Sequence, residues 1–82
     1  MDKAIAVKYV QGLPAPFVVA KGRHELAQRL VAIAESSGVE IVDMPELADS
    51  LITLETGDWI PEDYFEIIAE VLAFVYRLKS ER

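Results

Sequence analysis

The stretch that decides the fold is residues 4–22, AIAVKYVQGLPAPFVVAKG. Residues 4–9 and 16–20 are rich enough in β-branched and aromatic side chains to form strands. Between them, Gly12 and Pro14 are residues that favour turns. The stretch therefore predicts an antiparallel β-hairpin with a loose connecting loop.

A helix and a third strand are predicted after the hairpin. Apolar residues recur there at the spacing of one helical face: Leu26, Leu30, Ile33 and Ala34. Gly38 is well placed as the left-handed residue that closes this helix, and residues 39–43 have the composition of a short strand. A strand–helix–strand order implies a right-handed crossover between parallel strands. Residues 16–20 would then pair antiparallel with 4–9 and parallel with 39–43.

Two further helices complete the prediction. Pro45 suits a first helical position, where its missing N–H would have no partner in any case. The helix that it begins should run to about residue 54, because Gly57 and Asp58 interrupt the pattern. Pro61 should begin the last helix. The apolar stripe of that helix is Tyr64, Ile67, Ile68, Val71, Leu72, Val75 and Leu78.

The predicted fold class is α/β. It is a small mixed β-sheet of about three strands, a β-hairpin followed by a β-α-β unit, packed with about three helices. A chain of 82 residues buries roughly 60–65% of the surface that it exposes when unfolded, which allows one core. We therefore predict a single domain over residues 1–82.

Composition excludes several classes of function. The chain has no cysteine, so it forms no disulfide, thiolate metal site or cysteine nucleophile. Its net charge of −6 argues against binding to nucleic acid or to an anionic membrane. No apolar run approaches the roughly 20 residues that cross a bilayer, and the N-terminus does not resemble a signal peptide. A cytoplasmic location is the default expectation.

Charge is unevenly distributed along the chain. Residues 35–70 contain eleven acids and no lysine or arginine. A solvated acidic face is the simpler interpretation. An acidic docking surface for a basic partner is the functional alternative.

The residues suggest no enzyme, metal site or cofactor. His24 is the only histidine, and one histidine without cysteine cannot form a structural zinc site. It is expected to be a surface or capping residue, while Gly22 or Arg23 is the expected N-cap of the first helix. The paired carboxylates in residues 62–70 fall on a predicted solvent face, whereas acid–base catalysis needs a cleft that separates two pKa values.

Trp59 has two interpretations. With Ile60 and Pro61 it could fasten the start of the last helix to the core. Alternatively it contacts a partner, because tryptophan is enriched in interface hot spots.

Two sequence blocks connect the chain to a known family: VVAKG at residues 18–22 and AEVLAFVYRL at residues 69–78. With residues 4–9 and the Gly57-Asp58 and Ile60-Pro61 pairs, they resemble the C-terminal cytoplasmic domain of the FlhB/YscU family. These proteins are export-gate and substrate-specificity-switch components of flagellar and type III secretion systems. The resemblance covers nearly the whole chain in order, and it implies a small mixed sheet surrounded by helices.

The chain departs from the family at its N-terminus. In the family, an Asn-Pro-Thr-His motif precedes the strand that resembles residues 4–9, and the protein cuts its own backbone between Asn and Pro. Here Met1 and Asp2 stand where Thr and His would be, so the resemblance does not carry over autocleavage. Because Met1 is a plausible start, we expect a natural stand-alone homologue. If the family's upstream strand pairs in the sheet, strand 4–9 would expose an unpaired edge, open to strand addition by a partner or by a second copy.

The resemblance implies a non-enzymatic interaction module in export. It would bind export substrates, chaperones or components of the export apparatus, in the cytoplasm or at the inner face of the membrane. The alternative is an unrelated regulatory module that uses the acidic surface of residues 35–70. Because loops carry function more often than core elements do, we expect partner contacts at Gln11, Leu13, Pro14, Pro16, Lys21, Asp58 and Trp59. Turn chemistry or capping is the simpler role for each of them.

Overall fold

The predicted hairpin forms. The structure, a computed structural model, describes residues 2–80, without the side chain of Ser80. Strand β1 (Lys3–Lys8) pairs antiparallel with strand β2 (Phe17–Arg23). The register is regular from Lys3 opposite Arg23 to Ala6 opposite Ala20 and then shifts, so that Val7 lies opposite Val18. Val19 is therefore an extra residue on β2, which is a β-bulge.

The predicted third strand is wrong. Within residues 2–80 the sheet has two strands, β1 and β2, and residues 40–44 have no regular secondary structure. A strand exists only when its backbone pairs with a neighbour, and strand-like composition cannot supply that neighbour. The mixed sheet is therefore a two-stranded antiparallel one. The α/β class with three helices is confirmed.

Helix α1 (Glu25–Ser36) packs through a face that only partly matches the predicted one, because Leu30 and Ala34 are half-buried as expected. Ala27 is fully buried, whereas Leu26 and Ile33 are 51% and 60% exposed. The small side chain of Ala27 lets the helix lie close to the hairpin, which the spacing of larger apolar residues did not reveal. Gly38, at φ 74°, closes the helix as predicted, and the Val39 N–H donates to the Ala34 carbonyl at 2.9 Å.

The last two helices differ from the prediction at their ends. Helix α2 (Pro45–Leu51) begins at Pro45 as expected but ends earlier. Pro61 is extended, with ψ 148°, and precedes a single 3-10 turn, Glu62–Tyr64. Helix α3 (Phe65–Ser80) follows this turn and carries basic residues in its last turn, as predicted, where they complement the helix dipole.

The core joins four parts of the chain. Val18 of β2, Leu51 of α2, Ile60 of the connection and Ile68 of α3 form one buried cluster. Of the apolar stripe predicted on α3, Ile68 is buried, Leu78 is exposed and the remaining residues are half-buried. The stripe therefore faces inward, although other elements cover it only in part.

Gly22 sets how closely α1 approaches β2. A Cβ at this position would lie 2.7 Å from the Leu26 Cγ and 3.0 Å from the Leu26 backbone carbonyl carbon. We expect Gly22→Ala to lower the free energy of unfolding by about 1–3 kcal/mol, the usual cost of overpacking. Urea denaturation measures this change in the free energy of unfolding. Adding Leu26→Ala should recover part of the loss, because it removes the Cγ contact but not the backbone contact. An unchanged midpoint in Gly22→Ala would contradict this packing.

The predicted N-cap of α1 is wrong: Gly22 and Arg23 belong to β2, and His24 is the N-cap, with φ 53° and ψ −120°. The His24 side chain makes no capping hydrogen bond. A non-glycine residue in such a conformation costs on the order of 1–3 kcal/mol. We expect His24→Gly to raise the free energy of unfolding by up to about 1 kcal/mol, since glycine's greater freedom in the unfolded chain offsets part of the gain. Thermal unfolding of the variant tests this expected gain in stability. Gln28→Gly, at an exposed interior position of α1, should instead cost about 1 kcal/mol.

Candidate functional site

The connection before α3 is tied to the start of β2 by backbone hydrogen bonds. The Gly57 N–H donates to the Val18 carbonyl at 2.7 Å, and the Val18 N–H donates to the Asp58 carbonyl at 3.0 Å. The Ile60 N–H donates to the Pro16 carbonyl at 2.8 Å. Residues 57–60 thus lie along β2 like a short strand. Three of the predicted contact residues, Pro16, Asp58 and Trp59, are thereby brought together.

Successive side chains of residues 57–60 point to opposite sides, as in a strand, so Trp59 and Ile60 lie in different surroundings. Ile60 is 1% exposed and belongs to the core, whereas Trp59 is 52% exposed. The interpretation of Trp59 as a core fastener is therefore wrong, and Ile60 has that role. The Trp59 ring instead meets Phe17 edge to face, with ring centroids 6.1 Å apart and planes at 83°.

We call Pro16, Phe17 and Trp59 the aromatic surface. An edge-to-face pair of aromatic rings contributes about 0.5–1.5 kcal/mol of stability beyond the contribution of the area that the rings bury. The indole is therefore held in place while about half of it remains in contact with water. Sequence reasoning missed Phe17 because the two rings are distant in sequence and meet only through the pairing of residues 57–60 with β2. A half-exposed tryptophan that packs against a neighbouring ring is the kind of group that anchors protein interfaces.

Asp58 and Lys21 are engaged within the fold. The Asp58 carboxylate accepts a hydrogen bond from the Glu55 N–H at 2.8 Å and so closes the turn that precedes the aromatic surface. The Lys21 ammonium donates to the Ile52 carbonyl at 3.3 Å and lies 3.9 Å from the Glu55 carboxylate. Lys21 therefore holds the turn after α2. Both residues therefore have a structural role, and the partner contact that the sequence suggested for each stays a prediction.

The other predicted residues lie on the loop between β1 and β2. Gln11 and Pro14 are exposed, and Leu13 is half-buried. The loop is anchored at its base by Ala15, which is 6% exposed, and turns at Gly12 with φ 96°. The Leu13 N–H donates to the Val10 carbonyl at 3.1 Å. The tip of the loop therefore presents Gln11 and Pro14 to solvent.

Within residues 2–80, no group of three or more histidine, aspartate or glutamate side chains could hold a metal ion. No helix in the described part of the chain has the length and apolar character needed to span a membrane.

Solved structures that are similar to this chain include C-terminal or cytoplasmic domains of FlhB, EscU and PscU. The chain belongs to the FlhB HrpN YscU SpaS family of flagellar and type III export proteins, whose sequence model matches residues 1–75. The cytoplasmic domain of FlhB from Shewanella putrefaciens superposes with a TM-score of 0.90 and 38% identity, over 96% of this chain and 66% of that one.

Two relatives in Bacillus subtilis differ in length. Flagellar biosynthetic protein FlhB is 39% identical over 80 residues, which cover 95% of this chain but 22% of that protein. The uncharacterized protein YlqH is 35% identical over 77 residues, which cover 93% of this chain and 83% of that protein. The chain thus spans about a fifth of the FlhB relatives that it matches and most of YlqH.

The different burial of Trp59 and Ile60 predicts different losses of unfolding free energy when each is truncated to alanine. Ile60→Ala should cost about 2–5 kcal/mol of unfolding free energy, because it opens a cavity in the core. Trp59→Ala should cost less than Ile60→Ala, because about half of Trp59 is already exposed and the lost packing is mainly that against Phe17. Urea denaturation of both variants tests the assignment. A larger loss from Trp59→Ala than from Ile60→Ala would show that Trp59 supports the core after all.

Proposed function

We propose that this chain is a non-enzymatic protein-interaction module of flagellar or type III export. It binds export substrates, their chaperones or components of the export apparatus, and it acts in the cytoplasm, at the inner face of the membrane. It either substitutes for the corresponding domain of a full-length export gate protein or competes with it. The observation that carries this proposal is the match to FlhB along 95% of the chain.

The aromatic surface is the contact that we propose for this interaction. Trp59 is half-exposed, is held by Phe17 and lies outside the core cluster. A partner that covers the indole gains apolar burial at little conformational cost, because the ring is already oriented. Gln11, Leu13 and Pro14, on the neighbouring loop, remain predicted contacts, as do Lys21 and Asp58.

Deletion of the gene in a flagellated host, combined with affinity capture of the tagged chain, tests the function. We expect altered export and recovery of export components. Trp59→Ala should weaken that capture about tenfold, the effect of removing a hot-spot side chain. Phe74→Ala is the matched control, because Phe74 is an aromatic residue of α3 that is 50% exposed. Normal export after deletion, together with no export component among the captured proteins, would contradict the proposal.

A second candidate function rests on the acidic residues. Of the eleven acids in residues 35–70, ten are exposed and Glu40 is half-buried. Two of them, Asp49 and Glu55, lie near Lys3 and Lys21 at 2.8 Å and 3.9 Å. The acidic character of this segment would attract a basic partner outside the export system. This alternative would be favoured if such a partner binds and if its affinity falls steeply between low and high salt, since salt screens exposed charges.

A further inference from the structure

Helix α3 carries more apolar surface than the fold covers. Ile68 is 4% exposed and belongs to the core cluster, whereas Phe74 and Leu78 are 50% and 37% exposed. Apart from the 3-10 turn directly before it, no helix or strand within residues 2–80 runs close alongside α3. The second half of the helix therefore has an open apolar flank.

The apolar residues of this flank follow a regular spacing. Ile67, Val71, Phe74 and Leu78 are separated by four, three and four positions, which is the spacing of the apolar seam of a coiled coil. In heptad notation, Val71 and Leu78 are a positions, and Ile67 and Phe74 are d positions. We call these four residues the α3 seam. Ile67 and Val71 are half-buried, so the seam becomes more open towards the C-terminal end of α3.

The residues on the solvent side of the seam carry charges of opposite sign. They are the g positions of the heptads, Glu70 and Arg77, and both are exposed. Neither side chain forms an ion pair within the described part of the chain. The e positions, Ile68 and Val75, adjoin the seam on its other side and line the groove between α3 and β1. Only the g positions are therefore available for a polar contact.

The seam is complementary to itself when a second α3 runs antiparallel. Ile67 of one copy would then meet Leu78 of the other, and Val71 would meet Phe74. Each layer combines an a with a d position, and a two-fold axis repeats each layer in reverse. The four seam residues of each copy are therefore all covered by those of the other.

The charges select the antiparallel orientation. Glu70 and Arg77 of opposite copies lie between the same two layers of this arrangement, so one pair of helices forms two ion pairs. In a parallel pair, g positions face e positions, and Glu70 would lie beside Val75. A shift of the antiparallel pair by one heptad would place two Glu70 or two Arg77 side chains together. One register alone pairs both charges.

We propose that α3 binds a second copy of this chain, with the two α3 seams packed antiparallel about a two-fold axis. Removing Phe74 and Leu78 from water drives the association, and the Glu70–Arg77 pairs at the rim fix the register. The seam is short, but the folded domain already holds α3 as a helix. Dimerisation therefore bears none of the cost of helix formation.

A second copy fits this flank better than an unrelated helix does. The same four apolar residues and the same two charges supply both sides of the contact, which is the property of an isologous interface. The seam includes neither Phe17 nor Trp59. The inference therefore goes beyond the proposed export function and uses a different surface.

Analytical ultracentrifugation of the full chain over a concentration series tests the dimer. We expect the weight-average mass to rise from that of a monomer towards that of a dimer between micromolar and millimolar concentration. Phe74→Ala should weaken dimerisation at least about tenfold, the effect of removing a hot-spot side chain. Tyr76→Ala is the matched control, because Tyr76 is an aromatic residue of α3 that is 75% exposed and lies outside the seam. Circular dichroism verifies that each variant folds.

Charge reversal tests the orientation. Glu70→Arg alone and Arg77→Glu alone should each weaken dimerisation about tenfold, because two attractive pairs become two repulsive ones. The double variant with both changes should restore the dimer, since the opposite charges again face each other. A general loss of stability would not give this recovery. A double variant as weak as the single variants would contradict the antiparallel arrangement.

Two further outcomes would overturn the dimer. The first is a chain that stays monomeric at millimolar concentration. The second is a dimer that Phe74→Ala leaves intact, which would place the contact elsewhere, for example at the edge of β1.

The export function stands or falls separately. Phe74→Ala should lose dimerisation and keep the capture of export components, whereas Trp59→Ala should do the reverse. Capture by a chain that remains monomeric would overturn the dimer alone. Dimerisation without any export phenotype or captured export component would overturn the export function alone.

Discussion

The backbone of Val18 holds the rest of the structure in place. Its N–H and carbonyl bond to residues 57–58, and its side chain is fully buried. A buried amide that found no partner would cost about 1–3 kcal/mol, so this pairing is strongly favoured. It brings a distant part of the chain against the hairpin, directs Ile60 into the core and leaves Trp59 outside. Because α3 begins a few residues later, the same bonds also fix where that helix starts.

The sequence was sufficient where local rules decide the structure. The hairpin follows from two β-rich runs around Gly12 and Pro14. The end of α1 follows from Gly38, which adopts the left-handed conformation that glycine favours. The basic residues at the end of α3 lie where the helix dipole favours them. Each of these features depends on residues that are neighbours in sequence.

The sequence was insufficient where contacts between distant residues decide the structure. The strand predicted at residues 39–43 fails because strand formation needs a partner that periodicity does not reveal. The buried face of α1 is set by Ala27 and Gly22, small residues that a search for large apolar side chains overlooks. Of the candidate site, Trp59 was predicted, but its packing against Phe17 was not. Lys21 and Asp58 could not be recognised as structural contacts, because their partners Ile52 and Glu55 gave no sequence signal.

The position of the bulge at Val19 decides which of the two strands is interrupted. The extra residue lies on β2, whose far edge residues 57–60 already cover. Strand β1 itself therefore runs without an extra residue. Natural proteins often interrupt an exposed edge with a bulge or a proline, which hinders pairing between molecules. Neither interruption occurs within β1, so its regular edge is also a template for self-association. Self-association through this edge would therefore increase with the concentration of the chain.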